Sequence, residues 1–281
     1  MPSAPPVVLT IAGFDPSSGA GVSADIKTIA AHGCYGIACI TALTVQSTTG
    51  VRRVEAVSAR LVRETLDEVA ADMKPAAVRI GMLVSAPIVD AVADFLEARK
   101  PPNVVLDPVM RSSSGSELLD AKGIERLSRR LLPRVAVVTP NIDEAATLTS
   151  RPVTDLTGMK AAARELHRMG ARVVVVTGGH LERAVDLLSV AGEGEPEQSE
   201  FASERLATTS THGTGCAFAT ALASNLALGR QVKDAVVLAK AYVTQAIARS
   251  FPIGHGSGPI HHLFRMEQAP RPVPDLPEPS H

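Results

Sequence analysis

Tryptophan is absent from the 281-residue sequence, and aromatic side chains make up only 3% of it. A hydrophobic core must therefore be built mainly from Ala, Val, Leu and Ile. The formal net charge is only −1, so the chain lacks the basic excess with which proteins bind nucleic acid. No apolar run is long enough to cross a bilayer, and the opening residues, M-P-S-A-P-P, do not resemble a secretory signal.

Cysteine is scarce as well. Cys34, Cys39 and Cys216 form no C-x-x-C pair that would indicate a zinc site or a disulfide framework. We therefore expect a reduced protein of the cytoplasm. Hydrophobic side chains, in contrast, are plentiful at 45% of the residues, which suits one large α/β domain.

Short, continuously apolar segments alternate with segments of helical pattern along most of the chain. We predict strands at residues 7–12, 37–45, 77–82, 104–106, 135–138 and 173–176, and a strand pair at 185–190 and 201–206 joined by an exposed loop at 192–200. Such apolar runs are typical of strands buried on both faces. The predicted fold is a three-layer, doubly wound α/β domain over residues 1–266, with a mainly parallel sheet between helices. The Pro-rich residues 267–281 are expected to be disordered.

Residues 210–219, S-T-H-G-T-G-C-A-F-A, combine a glycine turn with the start of a small-residue helix that ends at Gly229. Unpaired backbone N–H groups and the helix dipole make such a turn, here at Gly213 and Gly215, able to bind anions. Cys216 falls in the first helical turn, where a thiolate is favoured. Taken alone, the stretch is equally well explained as a tight turn before a packed helix.

Polar residues and glycines also follow the predicted strands, where doubly wound sheets bind their ligands. They are Gly13, Gln46, Gly81-Met82, Asp107, Asn141 and Gly178-Gly179. Asp107 is a candidate for the carboxylate near a nucleotide-bound Mg²⁺, and Glu144 for a residue that orients its waters. The alternatives are a turn aspartate and a first-turn helix glutamate.

Gln46 offers both hydrogen-bond donors and an acceptor, so it can pair with a ring that presents both; the alternative is a capping side chain at the sheet edge. Asp25, one helical turn after a G-A-G loop, can reach the same edge, or can be a solvated helix residue. His180 and His212 flank glycines without metal-ligand spacing and are interpreted as loop residues.

Nine motifs in this order and spacing resemble one family. They are A-G-F-D-P-S-S-G-A-G-V-S-A-D-I-K-T, T-A-L-T-V-Q, I-G-M-L, L-D-P-V-M, S-G, T-P-N-I-D-E-A, G-G-H, T-H-G-T-G-C and G-H-G-S-G-P. The chain resembles, over residues 7–264, the hydroxymethylpyrimidine and phosphomethylpyrimidine kinases of thiamine biosynthesis, in the ribokinase-like superfamily. The resemblance implies ATP with Mg²⁺, a small pyrimidine substrate, no nucleic-acid or membrane partner, and a homodimer.

The resemblance also implies roles for particular residues. The positions that match the pyrimidine site are Gly13, Asp25, Gln46 and Met82. Those that match the ATP–Mg²⁺ side are Asp107, Asn141, Glu144, Thr177 and Gly178. Gly213 and Gly215 match the anion hole, and Cys216 matches the residue beside the acceptor, where most sugar kinases of the superfamily have Asp.

The sequence departs from the family at three positions. Thr177 stands where members often carry Lys, so that another cation has to supply the charge on the phosphates or ATP binds less tightly. Phe14 replaces a small polar residue, and His261 stands where Asn is frequent. Two other functions remain open, a pyridoxal kinase and a non-catalytic sensor of pyrimidine phosphates.

Overall fold

The computed structural model describes residues 3–112, 115–179, 185–202 and 210–266. Within these residues nine strands form one sheet, in the order β3-β2-β1-β4-β5-β6-β7-β8-β9. The strands are β1 (Val7–Phe14), β2 (Tyr35–Ser47), β3 (Gly50–Ala56), β4 (Ala77–Ile80), β5 (Val104–Leu106), β6 (Val137–Val138), β7 (Val173–Gly178), β8 (Val185–Val190) and β9 (Glu197–Ala202).

In the described part of the chain, eight α-helices connect or flank these strands. They are α1 (Gly21–Ala31), α2 (Ala59–Asp72), α3 (Ala86–Arg99), α4 (Ala121–Arg126), α5 (Ile142–Thr149), α6 (Leu156–Arg168), α7 (Thr214–Ala227) and α8 (Val232–Ala248). Helix α4 continues as a π-helical stretch over Leu127–Leu131 and a 3₁₀ turn over Leu132–Arg134. None of the described helices is both long and apolar enough to cross a membrane.

The six strands β2, β1, β4, β5, β6 and β7 pair in parallel, whereas β3, β8 and β9 pair antiparallel at the two edges. One apolar cluster packs α2, α3, α5 and α6 against one face of the sheet. A second cluster packs α1, α7 and α8 against the other face. The three-layer, mainly parallel fold is therefore confirmed, and the carboxyl ends of six parallel strands meet at one edge.

Two predictions near the sheet edges were wrong. Strand β3 was not expected, because Arg52, Arg53 and Glu55 interrupt its apolar pattern. The last strand was expected at 201–206 after a loop at 192–200, but β9 begins at Glu197 and is largely polar. Both are edge strands, and an edge strand can keep polar side chains in water on its exposed face. Residues 203–206 and the tail from residue 267 lie outside the described residues.

Candidate active site

A buried arginine lies at the centre of the sheet's carboxyl edge. Arg79, in β4, has no exposed surface. Its Nη1 donates to Asp25 Oδ2 at 3.0 Å, and its Nη2 donates to Asp107 Oδ2 at 2.6 Å. Although burial opposes its charge, the neighbouring carboxylates raise the pKa of Arg79 above its ordinary value. Arg79 is therefore a fixed internal cation that joins α1, β4 and the end of β5.

Gly81 makes room for this cation. A Cβ atom on Gly81 would stand 2.1 Å from Arg79 Nη1 and 2.6 Å from Cζ. Residues two apart in a strand share a face, so the Arg79 side chain can extend along the strand only because Gly81 has no side chain.

Asp25 lies beneath the site rather than on its wall. Its carboxylate is fully buried and accepts hydrogen bonds from Thr10 Oγ1 at 2.5 Å and Thr220 Oγ1 at 2.7 Å as well as from Arg79. The solvated alternative for Asp25 is thus wrong. No oxygen of Asp25 is open to a ligand in this structure, so its contact with a substrate stays a prediction. What the structure shows is that Asp25 holds Arg79.

The predicted anion hole is the turn that starts α7. Gly213 is the N-cap residue with φ +81°, and a Cβ atom there would stand 1.8 Å from Gly19 O. A side chain is excluded here by both the backbone conformation and the close approach of the Gly19 loop. Glycine has no side chain with which to cap the first N–H groups of α7. The N–H of Thr214 lies 3.4 Å from Thr211 O, whereas Gly215 is exposed with open space beside it, so that its N–H is available to an anion.

Cys216 points into the charged centre. Its thiol lies close to both Arg79 and Asp107. The expectation that a thiolate is favoured was wrong for this structure, since burial, with Asp107 and Asp25 adding to it and Arg79 opposing it, raises the pKa of Cys216 to about 11. From the sequence we expected a lowered pKa, because Cys216 lies at a helix N-terminus and because Asp25 and Asp107, which lie beside it in the fold, are remote in sequence.

Asp107 and Glu144 form the predicted metal side. Glu144 is buried, and its Oε2 accepts from Asn141 N at 2.9 Å, so the first-turn helix role considered as an alternative is real. Burial and then the charge of Asp107 raise the pKa of Glu144 to about 8. Burial also raises the pKa of Asp107, against the opposing effect of Arg79. The raised pKa values mean that two neighbouring carboxyl groups resist ionising together, and a divalent cation beside them would supply the charge that lets both ionise.

No group of three or more His, Cys, Asp or Glu side chains is arranged to hold a metal in the described part of the chain. Mg²⁺ does not need such a group, because it binds through one or two carboxylates and takes its other ligands from phosphates and water. Asp107 and Glu144 therefore suit Mg²⁺ better than Zn²⁺.

The predicted nucleotide side lies next to Glu144. Asn141 caps α5 and pairs with Thr177, whose N–H donates to Pro140 O at 2.9 Å. The N–H of Gly178, in contrast, is taken by Asp186 Oδ1 at 3.1 Å and is not free for a phosphate. Asp186 Oδ2 also pairs with Lys240 Nζ at 2.5 Å. A lysine from α8 thus lies close to Thr177. His180 falls outside the described residues.

The predicted ring site contains Gly13, Met82 and Gln46. A Cβ atom on Gly13 would stand 3.0 Å from Met82 Sδ, so these two residues are in contact. Gln46 Nε2 lies 3.3 Å from His212 Nε2, and His212 Nε2 lies 2.9 Å from Asp15 Oδ2. A cavity of about 360 Å³ opens beside Gln46. It is lined by Gln46, Ser47, Thr48, Thr49, Gly50, Val51, Ser112, His212, His255, Gly256 and Ser257.

The ring site and the anion hole are contiguous, because His212 directly precedes Gly213. From there Cys216, Arg79, Asp107 and Glu144 continue the network to the nucleotide side. A cavity of about 420 Å³ at the amino ends of β5–β7, lined in part by Lys100, Arg134 and Arg172, takes no part in this network.

Four residues of the network escaped the sequence analysis as functional candidates: Arg79, Asp15, His212 and Thr220. Arg79 gave a signal, since a charged residue within a four-residue buried strand needs a partner. His212 was interpreted as a loop residue, because nothing in the sequence shows that Asp15 and Gln46 converge on it.

Comparison with known proteins identifies the family. The model of the family described as phosphomethylpyrimidine kinase matches residues 15–261. A hydroxymethylpyrimidine/phosphomethylpyrimidine kinase of Streptomyces coelicolor is 43% identical over 94% of this chain and 97% of its own. The thiamine biosynthesis bifunctional protein ThiED of Geobacter sulfurreducens is 42% identical over 92% of this chain. The match covers 53% of ThiED, so this chain spans about half the length of that protein.

A crystal structure of Bacillus subtilis pyridoxal kinase in complex with ADP superposes with a TM-score of 0.85 at 34% identity. The match covers 92% of this chain and 98% of that chain. Sequence motifs, fold and family model agree: the chain is a kinase with the ribokinase-like fold, and it belongs to the phosphomethylpyrimidine kinase family.

Proposed function

We propose that the protein transfers the γ-phosphoryl group of ATP to the hydroxyl group of 4-amino-5-hydroxymethyl-2-methylpyrimidine, and then a second group to the resulting monophosphate. The observation that supports this most is the continuity between the cavity at Gln46 and the anion hole at Gly213, joined through His212. A ring bound by Gln46 can present its hydroxymethyl arm to the start of α7. The cavity size is that of a small-molecule site.

The residues divide the work of the transfer. As the bond from the acceptor oxygen to the γ-phosphorus forms and the bond to the ADP oxygen breaks, negative charge spreads over the transferring group. Backbone N–H groups from Gly213 to Cys216 stabilise that charge without reorganising. In the first step Cys216 passes its thiol proton to the neighbouring Asp107 and accepts the hydroxyl proton of the substrate in its place. In the second step the acceptor is a phosphate oxygen that is already ionised at neutral pH and needs no base.

Nucleotide and metal complete the site. Asn141 and Thr177 bind the nucleotide. Lys240, which pairs with Asp186 opposite Thr177, supplies a cation close to the position where the family often has Lys. Asp107 and Glu144 would hold Mg²⁺, which would supply positive charge to the phosphates. The ADP in the related pyridoxal kinase supports ATP as the donor.

A second candidate function is pyridoxal phosphorylation, which the likeness to a pyridoxal kinase favours. A coupled assay of ADP release with each substrate alone and in competition separates the two. We expect the aminopyrimidine to give the higher kcat/KM and to inhibit any turnover of pyridoxal. A higher kcat/KM for pyridoxal would overturn the proposal and leave a kinase of the same fold with another ring specificity.

We propose in addition that two copies of the chain pair. Phe14, Leu43 and Val45 share one face where β1 meets β2, and all three are exposed. An exposed apolar patch of this kind suits a protein interface. Light scattering after size exclusion should give the mass of a dimer, and Leu43→Lys should shift it to the monomer. We place the protein in the cytoplasm, where its three free cysteines stay reduced.

A further inference from the structure

The Gln46 side-chain amide lies between two hydrogen-bonding neighbours. Its Nε2 position is 3.3 Å from His212 Nε2, and its Oε1 position is 3.2 Å from Thr44 Oγ1. A half-turn about the last side-chain bond exchanges the two atoms without moving anything else, so the neighbours decide which end is oxygen.

His212 cannot accept a hydrogen bond from the amide. Asp15 Oδ2 accepts from Ala20 N at 2.9 Å and from His212, while Oδ1 accepts from Ser17 N and Oγ at 2.8 and 2.7 Å. Burial raises the pKa of Asp15, but the hydrogen bonds from His212 and Ser17 outweigh it and hold the pKa below its ordinary value. An ionised carboxylate accepts and never donates. His212 Nε2 therefore carries a proton, which it gives to Asp15, and it has no lone pair with which to accept from Gln46. An amide N–H turned toward this N–H would be repelled, whereas the amide oxygen is attracted to it.

Thr44 can only accept from the amide. Its hydroxyl lies 3.0 Å from Phe14 O, and a backbone carbonyl cannot donate. The single hydroxyl proton of Thr44 therefore goes to Phe14, which leaves a lone pair of Oγ1 toward Gln46. Both neighbours thus require the same orientation, with Gln46 Oε1 toward His212 and Nε2 toward Thr44.

We propose that the Asp15–His212 pair and Thr44 lock the Gln46 amide in this orientation and thereby determine which ring the enzyme accepts. One lone pair of Oε1 and one N–H of Nε2 remain for the substrate, the acceptor on the His212 side and the donor on the Thr44 side. An aminopyrimidine matches this order with its amino N–H and the adjacent ring nitrogen. Because the order is fixed, the hydroxymethyl group can point only one way along the pocket. The inference depends on the proposed role of Gln46 in ring binding.

A 4-oxo analogue of the substrate is the sharpest probe of such a lock. Replacing the 4-amino group by an oxo group turns the donor into an acceptor and the adjacent ring nitrogen into an N–H donor. If the Gln46 amide is locked, its N–H then faces the new ring N–H and its oxygen faces the new oxo group, so neither hydrogen bond forms. If the amide is free to rotate, it turns over and makes both hydrogen bonds to the analogue. The ratio of kcat/KM for the 4-amino and 4-oxo substrates therefore measures how firmly the amide is held.

The test compares this ratio across variants, with ADP release as the signal. The wild type should prefer the 4-amino substrate by at least about tenfold, because the oxygen and the N–H of the Gln46 amide both stay unpaired when the 4-oxo analogue is bound. His212→Ala and, independently, Thr44→Val should reduce the preference severalfold, mainly by raising kcat/KM for the 4-oxo analogue. His167→Ala is the matched control, because His167 lies on α6, outside the lining of this cavity, and bonds to Ala171 O and Ser189 Oγ. It should keep the wild-type ratio.

A double-mutant cycle shows whether His212 acts through Gln46. Gln46→Ala should abolish the preference, and adding His212→Ala to it should leave the ratio unchanged. If His212→Ala and Thr44→Val lower both activities equally and keep the wild-type ratio, the lock is refuted and His212 serves only the turn before Gly213. If Gln46→Ala itself keeps the ratio, the role of Gln46 in ring binding fails instead.

Discussion

At the scale of single residues, Cys216 is the group whose chemistry differs between the two transfers. Its thiol is protonated at rest, because burial raises its pKa to about 11. Before it can accept the hydroxyl proton, the thiol has to pass its own proton to Asp107, so we expect its contribution as a base to be at the lower end of the usual range, about 10² in rate. Arg79, which lies beside the sulfur, is the cation that stabilises the thiolate.

Cys216→Ala should slow phosphorylation of the hydroxymethylpyrimidine by about 10² while changing that of the monophosphate little. The backbone N–H groups of the anion hole survive the substitution, and the second acceptor carries no proton that must leave. Single-turnover rates of the two steps, measured separately, check this. Equal losses in both steps would make Cys216 a packing residue, as a small buried cysteine often is.

The sequence predicted the candidate residues that lie at strand ends, but it missed side chains that are remote in sequence and meet only in the fold. Asp107 could be found because it directly follows the apolar strand β5, and Gln46 because it lies at the carboxyl end of β2. Arg79 pairs with residues 54 and 28 positions away, and the spacing of a single sequence does not show such pairs. The prediction of a thiolate at Cys216 was wrong for the same reason: burial and the nearby carboxylates raise the pKa of the thiol by more than the helix N-terminus lowers it.

At the scale of elements, the start of α7 depends on backbone alone. Gly213 has φ +81° and approaches Gly19 O so closely that a Cβ atom would overlap it. Helix α7 is buried along most of its length, so its position is set by the core and its first turn cannot shift easily. The anion hole is thus held in place by the packing of α7 in the core and by the backbone contact at Gly213, without a capping side chain.

Gly213→Ala should lower kcat for both acceptors by about 10²–10³, because it displaces N–H donors that stabilise the transferring phosphoryl group. Gly229→Ala is the matched control: Gly229 has φ +79° but nothing within 4 Å of an added Cβ atom. It should cost about 1 kcal/mol of stability and leave kcat unchanged. Similar kcat values for the two variants would contradict the role of Gly213.

The elements themselves were predictable where burial on both faces made their pattern continuous. The parallel strands of the sheet centre were found for this reason, whereas β3 and the start of β9 were missed. Half-exposed edge strands carry Arg, Glu and Gln, so their apolar pattern is too weak to separate them from loops.

At the scale of the whole molecule, two buried histidines join the last part of the described chain, α8 and residues 249–266, to helix α1. His262 Nδ1 lies 3.1 Å from Thr28 Oγ1, and the His32 ring packs on Tyr242 with centroids 4.6 Å apart. Burial lowers the pKa of each histidine to about 4. The fold therefore holds both rings neutral at neutral pH.

Acid should destabilise the fold through these rings. An unfolded histidine has a pKa near 6.5, so between about pH 6.5 and 4 the unfolded chain binds more protons and the free energy of unfolding falls as pH falls. At pH 5.5 we expect a loss of about 1 kcal/mol per histidine. Urea midpoints at pH 7.5 and 5.5 measure it. His262→Asn should shrink the difference between the midpoints, whereas His255→Asn, at an exposed position, should not; no change with His262→Asn would contradict the account.

The central claim is that one site performs both transfers, and ³¹P NMR of a single reaction tests it most directly. Purified protein is given ATP, Mg²⁺ and 4-amino-5-hydroxymethyl-2-methylpyrimidine, and the phosphorus signals are followed in time. We predict a monophosphate signal that rises first and then declines as the two coupled signals of a diphosphate ester appear. A reaction that stops at the monophosphate, or ATP that stays unconsumed, would contradict the account.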